Sequence, residues 1–256
     1  MLIGEVGLNH LGNENYANTY VDFHFSNKFE ALTFQIRENV FYKREEKKHL
    51  KLSYKYYREI TKKYQKSKKK LGLSICDLET FQKFNKLEFN FYKILSIAAT
   101  NSSLIKNILD QTSCDIYISC GLLNKKEISN IINFYSSEKR IKFIYTQLSY
   151  EARNQNIINF FDLNKKYKNI IFYWHHYTNT LPITLVSLKP EISQFIYLRG
   201  NKNEKHPDEK HSLSFNNFKK VINNKNKITE LLGKKDKFFS KNNIPDQNNK
   251  WNQKNQ

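Results

Sequence analysis

Short runs of apolar residues, rich in β-branched and aromatic side chains, recur along the chain at fairly regular intervals. Each run is nearly continuous, which is typical of strands that are buried on both faces. We predict eight strands from these runs, over Leu2–Leu8, Ala31–Ile36, Leu71–Cys76, Phe91–Leu95, Asp115–Cys120, Lys142–Gln147, Asn169–Trp174 and Gln194–Leu198.

The segments between these runs carry apolar residues three or four positions apart, which is the spacing of an amphipathic helix. One such segment spans Tyr54–Gln65. Three others begin at the helix-capping residues Asp77, Asn101 and Asn124, and Glu127 completes a capping box with the last of these. Strands that alternate with helices in this way indicate parallel β-α-β units.

Eight β-α units in a chain of 256 residues predict an α/β fold, the parallel eight-stranded (β/α)8 or TIM barrel, which usually needs about 250 residues. The alternative is a doubly wound open sheet, but no glycine-rich phosphate-binding loop follows the first strand. We therefore predict one barrel domain over residues 1–232. Residues 233–256 consist largely of Lys, Asn, Gln and Asp, and we predict a disordered tail there.

The formal net charge of +19 and the isoelectric point near 9.6 raise the question of nucleic-acid binding. The basic residues are spread along the chain, however, apart from denser patches at Lys43–Lys51 and Lys62–Lys70. The bias toward Lys, Asn, Ile, Phe and Tyr is the one that an AT-rich genome imposes on any protein. We therefore predict no nucleic-acid partner.

The cysteine count and the start of the chain bear on its compartment. The three cysteines form no CxxC pair and no zinc-binding spacing. The first predicted strand starts at residue 2, so we expect no targeting segment, and no apolar run approaches the roughly 20 residues of a membrane helix. We predict a cytoplasmic protein that has no disulfide framework and no membrane partner.

A barrel gathers the carboxyl ends of its strands around one site. In GEVGLNHLG the carboxylate of Glu5 lies inside the first strand, which suits an active site better than a core. Lys93 lies within the apolar fourth strand, where a buried ammonium needs an anion or a lowered pKa. The polar residues predicted at the strand ends are Glu5, Asn9, His10, Thr33, Gln35, Ser74, Asp77, Lys93, Ser96, Ser119, Gln147, Tyr150, His175, His176 and Arg199.

Six segments, in sequence order over about residues 2 to 222, resemble motifs of the sialic acid synthase family. GEVGLNHLGN is similar to AEIGxNHxG, ALTFQ to AVKFQ, and FYKILSIAATNSSLIK to AYKIxSGExxNxPLIK. DIYISCGLLNKKEI is similar to PIIxSTGMxxxEEI, IIFYWHHYT to IGxSDHT, and HPDEKHSLSFNNFK to GPDHKASLEPDEFK. The family's members are barrels that condense phosphoenolpyruvate with an N-acetylated hexosamine and use a divalent metal. The resemblance thus implies a synthase of nine-carbon acidic sugars.

The resemblance also implies roles for individual residues. They are catalytic roles for Glu5, Tyr150 and Asp208, substrate binding by Gln35, Lys93, Ser96 and Ser119, and metal ligation by His176. Lys93, Ser96 and Ser119 match residues that bind phosphoenolpyruvate, and a cation with hydroxyl donors suits a ligand that carries phosphate and carboxylate. The implied partners are phosphoenolpyruvate, an N-acetylated sugar and, in a homodimer, a second copy of the chain.

Several positions depart from the family's pattern. Thr33 replaces a second Lys that binds phosphoenolpyruvate, and Ala98 replaces a Glu that helps with proton transfer. Tyr197 replaces the second metal-binding His, which weakens the site for manganese or magnesium at His176. His175 is adjacent on the strand and is expected to point to the opposite face. We also expect no counterpart of the family's C-terminal antifreeze-like domain.

Two functions stay open on these residues. One is a divergent synthase, and the other is a catalytically silent barrel that binds an acidic or phosphorylated small molecule or partners an active paralogue. We expect weak binding of manganese or magnesium, little condensation by the isolated chain, and phosphate binding near Lys93. His206 and His211 flank Asp208 and form either a metal cluster or a solvent-facing polar loop.

Overall fold

The computed structural model describes residues 1–167, 169–201 and 205–233. Its barrel strands are β1 (Leu2–Gly7), β2 (Ala31–Gln35), β3 (Lys70–Ile75), β4 (Phe91–Ile94), β5 (Asp115–Ser119), β6 (Ile141–Thr146), β7 (Ile170–His175) and β8 (Ser193–Arg199). All of them are parallel to their neighbours, and β1 pairs with β2 on one side and with β8 on the other. This closure confirms the predicted TIM barrel and excludes the open sheet.

Helices connect the strands and cover the outside of the barrel. They are α1 (Glu14–Ser26), α2 (Asn39–Tyr42), α3 (Glu45–Lys48), α4 (Tyr54–Gln65), α5 (Leu78–Phe84), α6 (Ser102–Gln111), α7 (Lys125–Phe134), α8 (Ile157–Lys166), α9 (Leu181–Ser187) and α10 (Phe215–Leu232). A short strand, β9 (Leu213–Ser214), pairs with the end of β8 and precedes α10.

The helix caps form as the sequence predicts. The side chains of Asp77 and Asn101 accept hydrogen bonds from backbone N–H groups three residues on, at 2.8 and 3.0 Å. Asn124 accepts from the backbone of Glu127 at 3.0 Å, and the Glu127 carboxylate accepts from the Asn124 N–H at 2.7 Å. These bonds satisfy donors that have no partner within the helix.

The interior of the barrel is built in layers. Ile3, Ala31, Phe91, Tyr117, Ile144, Phe195 and Tyr197 form an apolar cluster separate from the larger one between strands and helices. Successive inward positions on a strand are two residues apart. The next inward residues along six of the strands are polar and buried, and they are Glu5, Thr33, Ser74, Lys93, Ser119 and Thr146. The barrel interior therefore has an apolar layer and, next to it, a polar layer nearer the carboxyl ends of the strands.

The predicted domain boundary and tail lie at the limit of the described chain. Residues 234–256 lie outside the described residues, so the expectation of a disordered tail stays a prediction. No helix among the described residues is both long and apolar enough to cross a membrane.

Candidate active site

The centre of the polar layer is an ion pair between Lys93 Nζ and Glu5 Oε2, and both side chains are fully buried. The Ser74 hydroxyl donates to Glu5 Oε1 at 3.1 Å and lies 3.1 Å from the Thr33 hydroxyl. Burial lowers the pKa of Lys93, and the carboxylates of Glu5 and Asp208 oppose that shift. The sequence posed an anion or a lowered pKa as alternatives, and the structure pairs Lys93 with the anion Glu5.

Two serine hydroxyls lie at the ends of the neighbouring strands. Ser96 Oγ follows β4, Ser119 Oγ ends β5, and the two oxygens are 2.7 Å apart. Ser119 is fully buried, whereas Ser96 is partly exposed. At this distance one hydroxyl donates to the other, so the pair keeps one O–H donor for an anion at the mouth of the barrel.

Four aromatic side chains, Tyr150, His176, Tyr197 and His211, pack together at the same end of the barrel, and we call them the ring cluster. The His176 and His211 rings stack with centroids 3.9 Å apart and an interplanar angle of 18°. Tyr150 stacks on His211 at 5.6 Å, and Tyr197 meets His211 edge-on at 4.6 Å. The Tyr197 hydroxyl donates to Gln35 Oε1 at 3.3 Å, which joins Gln35 to the cluster.

The solvent-facing alternative for His206 and His211 is wrong, because both side chains are buried. His206 packs against α1, where its Nε2 lies 2.8 Å from the Tyr16 hydroxyl oxygen. His211 belongs to the ring cluster, and its Nε2 lies 3.6 Å from Asp208 Oδ1. Residues 205–212, in the loop after β8, thus pack inward at the mouth of the barrel.

Asp208 connects this segment to the end of β1 through hydrogen bonds. Its Oδ2 accepts from the Leu8 backbone N–H at 3.2 Å, and its own backbone N–H donates to Asn9 Oδ1 at 2.9 Å. The close approach of Asp208 to the end of β1 requires a glycine at position 7. Gly7 has a φ of +57°, and a Cβ there would overlap Asp208 Oδ2. Burial raises the pKa of Asp208 to about 6, and the positive charges of Lys93 and Arg37 oppose that rise.

Replacing Asp208 by Asn is expected to stabilise the fold above pH 6. A carboxyl whose folded pKa is raised from 3.8 to about 6 contributes stability below pH 4 and loses it as the pH rises through 6. The asparagine oxygen can still accept from Leu8, so the variant should gain about 3 kcal/mol of unfolding free energy at pH 7.5. Urea denaturation at pH 4 and at pH 7.5 measures this, and an equal difference at both pH values would contradict it.

The described residues do not fit the divalent metal that the resemblance implies. In the part of the chain that the structure describes, no group of three or more His, Cys, Asp or Glu side chains is arranged to hold a metal ion. An imidazole nitrogen binds a metal in the plane of its own ring, so the nearly parallel rings of His176 and His211 cannot direct nitrogens at one ion. The side chain of His175 lies outside the described part. Weak binding of manganese or magnesium stays a prediction.

The structure thus brings the predicted site residues together at one end of the barrel. Glu5 with Lys93, and Ser96 with Ser119, form direct pairs, while Gln35, Tyr150, His176 and Asp208 are connected through Tyr197 and His211. The roles of these eight residues stay predictions. The sequence analysis left the place of His211 open and did not count it among the site residues, because its position depends on the path of a loop that carries no periodic signal.

Comparison with known proteins bears on the family of the chain. The model of the NeuB family matches residues 19–237. The chain belongs to the NeuB family. A search of curated proteins finds no match to this NeuB-family chain.

Solved structures share the fold of this NeuB-family barrel at low identity. N-acetylneuraminic acid (sialic acid) synthetase from Leptospira borgpetersenii serovar Hardjo-bovis, in complex with citrate, has 20% identity and a TM-score of 0.82, over 94% of this chain and 87% of that one. A putative spore coat polysaccharide biosynthesis protein E from Chromobacterium violaceum has 14% identity and a TM-score of 0.80, over 94% of this chain and 78% of that one. Truncated 3-deoxy-D-arabino-heptulosonate 7-phosphate synthase from Thermotoga maritima is more distant, with 14% identity and a TM-score of 0.64, over 91% of this chain and 87% of that one.

Proposed function

We propose that this NeuB-family chain acts in the cytoplasm, in acidic-sugar biosynthesis, as a synthase that joins phosphoenolpyruvate to an N-acetylated sugar. The observation that carries the proposal is the buried polar layer. In this layer Glu5 and Lys93 lie against the apolar layer of the barrel interior and beside the paired serine hydroxyls. Such charges are costly to bury, so their presence at strand ends is typical of a functional site. A homodimer is part of the proposal, and light scattering on the purified chain tests it.

The condensation requires an anion site and a proton donor. The methylene carbon of phosphoenolpyruvate attacks the aldehyde carbon of the open-chain sugar, the aldehyde oxygen takes up a proton, and water then adds to the enol carbon so that phosphate leaves. One hydroxyl of the Ser96–Ser119 pair donates to the other, which leaves the second to donate to the anion, and the buried ammonium of Lys93 contributes positive potential to the same site. Asp208 is the proton donor, because a pKa of about 6 leaves a protonated fraction near neutral pH.

The silent barrel remains a second candidate because of two specific observations. Ala98, which is buried at the mouth after β4, carries no group that transfers protons. The ring cluster fills the space around His176, the residue that the resemblance implies is a metal ligand. A protein of this kind binds the anion but does not release phosphate from it.

The two candidates separate in a paired experiment on the purified chain. Calorimetry measures binding of phosphoenolpyruvate, and a phosphate-release assay with a panel of N-acetylated hexosamines measures turnover, each with and without manganese. We expect slow phosphate release that requires both substrates and is lost in Asp208→Asn. Binding without release supports the silent barrel, and the absence of both contradicts either function.

A further inference from the structure

Lys93 is enclosed on every side that the structure describes. Its ammonium pairs with Glu5 and lies 5.6 Å from the ring centroids of both Phe195 and Tyr197. An anion that enters from solvent would have to displace Glu5 and leave that carboxylate buried without its cation, which is strongly unfavourable. Direct contact between an incoming anion and Lys93 is therefore the less favourable arrangement.

Arg37 places a second cation at the mouth of the barrel. The Ile36 N–H donates to the Ser74 carbonyl at 2.9 Å, which completes the last pair of the β2–β3 ladder, Gln35 with Ser74. Arg37 lies two residues past the end of β2, at the end of the barrel where Gln35 joins the ring cluster. The Arg37 side chain is 24% exposed, whereas Lys93 is fully buried.

The guanidinium of Arg37 is held in one orientation. Its Nε and Nη2 donate to the two oxygens of Glu38 at 2.9 and 3.0 Å, and its Cζ lies 4.6 Å from the ring centroid of Phe41. The Cys76 thiol donates to the same carboxylate at 3.0 Å, which fixes Glu38 from the other side. A guanidinium has five N–H donors, so three remain beyond those that Glu38 takes.

The charge of Arg37 acts on the rest of the site. It opposes the rise that burial causes in the pKa of Asp208 and in the pKa of Tyr197. Both groups belong to the loop and ring cluster that cover the mouth. Arg37 therefore lies within electrostatic range of the proton donor that the condensation requires.

We propose that Arg37 binds the carboxylate or phosphate group of the incoming anionic substrate, with Glu38 as the residue that orients it. The inference rests on the proposed function, because it names the side chain that recognises the substrate of that reaction. A planar guanidinium suits this task, since it pairs with two oxygens of a carboxylate or phosphate at once.

Calorimetry with phosphoenolpyruvate, and with inorganic phosphate as a second probe, tests the proposal on the full chain. Arg37→Gln is expected to raise the Kd for phosphoenolpyruvate about tenfold or more, because it removes charge-assisted hydrogen bonds. Arg37→Lys keeps the positive charge but cannot donate two parallel hydrogen bonds, so its Kd for phosphoenolpyruvate should rise less than that of Arg37→Gln. Arg58→Gln is the matched control, since Arg58 is exposed on α4, and it should bind as the unchanged chain does.

The outcomes separate the two proposals. If Arg37→Gln binds both probes as tightly as the unchanged chain, the role of Arg37 is overturned and the proposed function stands. If the unchanged chain binds neither probe, both are overturned. Circular dichroism checks the fold of each variant. If Arg37→Gln does not fold, Arg37→Lys takes its place in the test. A Kd raised by about threefold or more in Arg37→Lys then supports the role of Arg37 in binding the anion, whereas an unchanged Kd rejects it.

Discussion

Lys93→Met is expected to lower the free energy of unfolding by about 3–5 kcal/mol, because removing one member of a buried ion pair leaves the other charge uncompensated. Glu5 would keep the hydrogen bond from Ser74 at 3.1 Å but lose its cation. Methionine has a length close to that of lysine. The loss of unfolding free energy therefore comes from removal of the charge rather than from a cavity. Urea denaturation at pH 7.5 measures it.

The double variant Glu5→Gln, Lys93→Met is the control for this prediction. It removes both charges, and a buried pair replaced by neutral groups of similar volume is often close to neutral in stability. We therefore expect the double variant to recover most of the loss, which gives a coupling energy between the two sites. A double variant as unstable as Lys93→Met alone would show that packing, and not the ion pair, explains the effect.

Gly12→Ala is the second change for which we expect a large effect, a loss of more than about 3 kcal/mol of unfolding free energy. Gly12 has a φ of +68°, and a Cβ there would overlap the backbone carbonyl oxygen of His49. The clash is with main chain, so a change of side-chain rotamer cannot relieve it. Gly12 also donates its N–H to His10 Nδ1 at 3.0 Å, which ties the turn after β1 together. Thermal and urea denaturation measure the loss.

Gly233→Ala provides the matched control for Gly12. Gly233 has a φ of +60°, and none of the described residues lies within 4 Å of a Cβ built on it. This variant therefore carries the conformational cost of a positive φ without the clash, and we expect a loss of about 1 kcal/mol. Equal losses for the two variants would contradict the close approach of the chain at Gly12 and His49.

Much of the fold was predictable because its signals are local. Every predicted strand lies within one residue of an observed strand at both ends, since a continuous apolar run marks the buried part of a parallel strand. The helix α4 has the bounds that its periodicity predicts. The strand β9 was missed because two residues cannot carry a periodic pattern.

The site was predictable only in part, because its contacts are non-local. The alternation of side chains along a strand indicates that Glu5 and Lys93 face inward, but not that they meet across intervening strands. The hydrogen bond between Leu8 and Asp208 joins residues 200 positions apart, and the stacking of His211 on His176 depends on that connection. Neither contact leaves a sequence pattern of its own.

The enclosed ion pair of Glu5 and Lys93 has a consequence for how the family diverges. The two residues are 88 positions apart, and either one mutated alone leaves a buried charge without its partner. Selection for a folded barrel therefore retains both residues even in a lineage that no longer needs the reaction. We expect the two positions to covary among NeuB-family sequences and to persist longer than residues whose loss costs no stability. Conservation of this pair therefore reports the stability of the barrel as well as any function that the two residues serve.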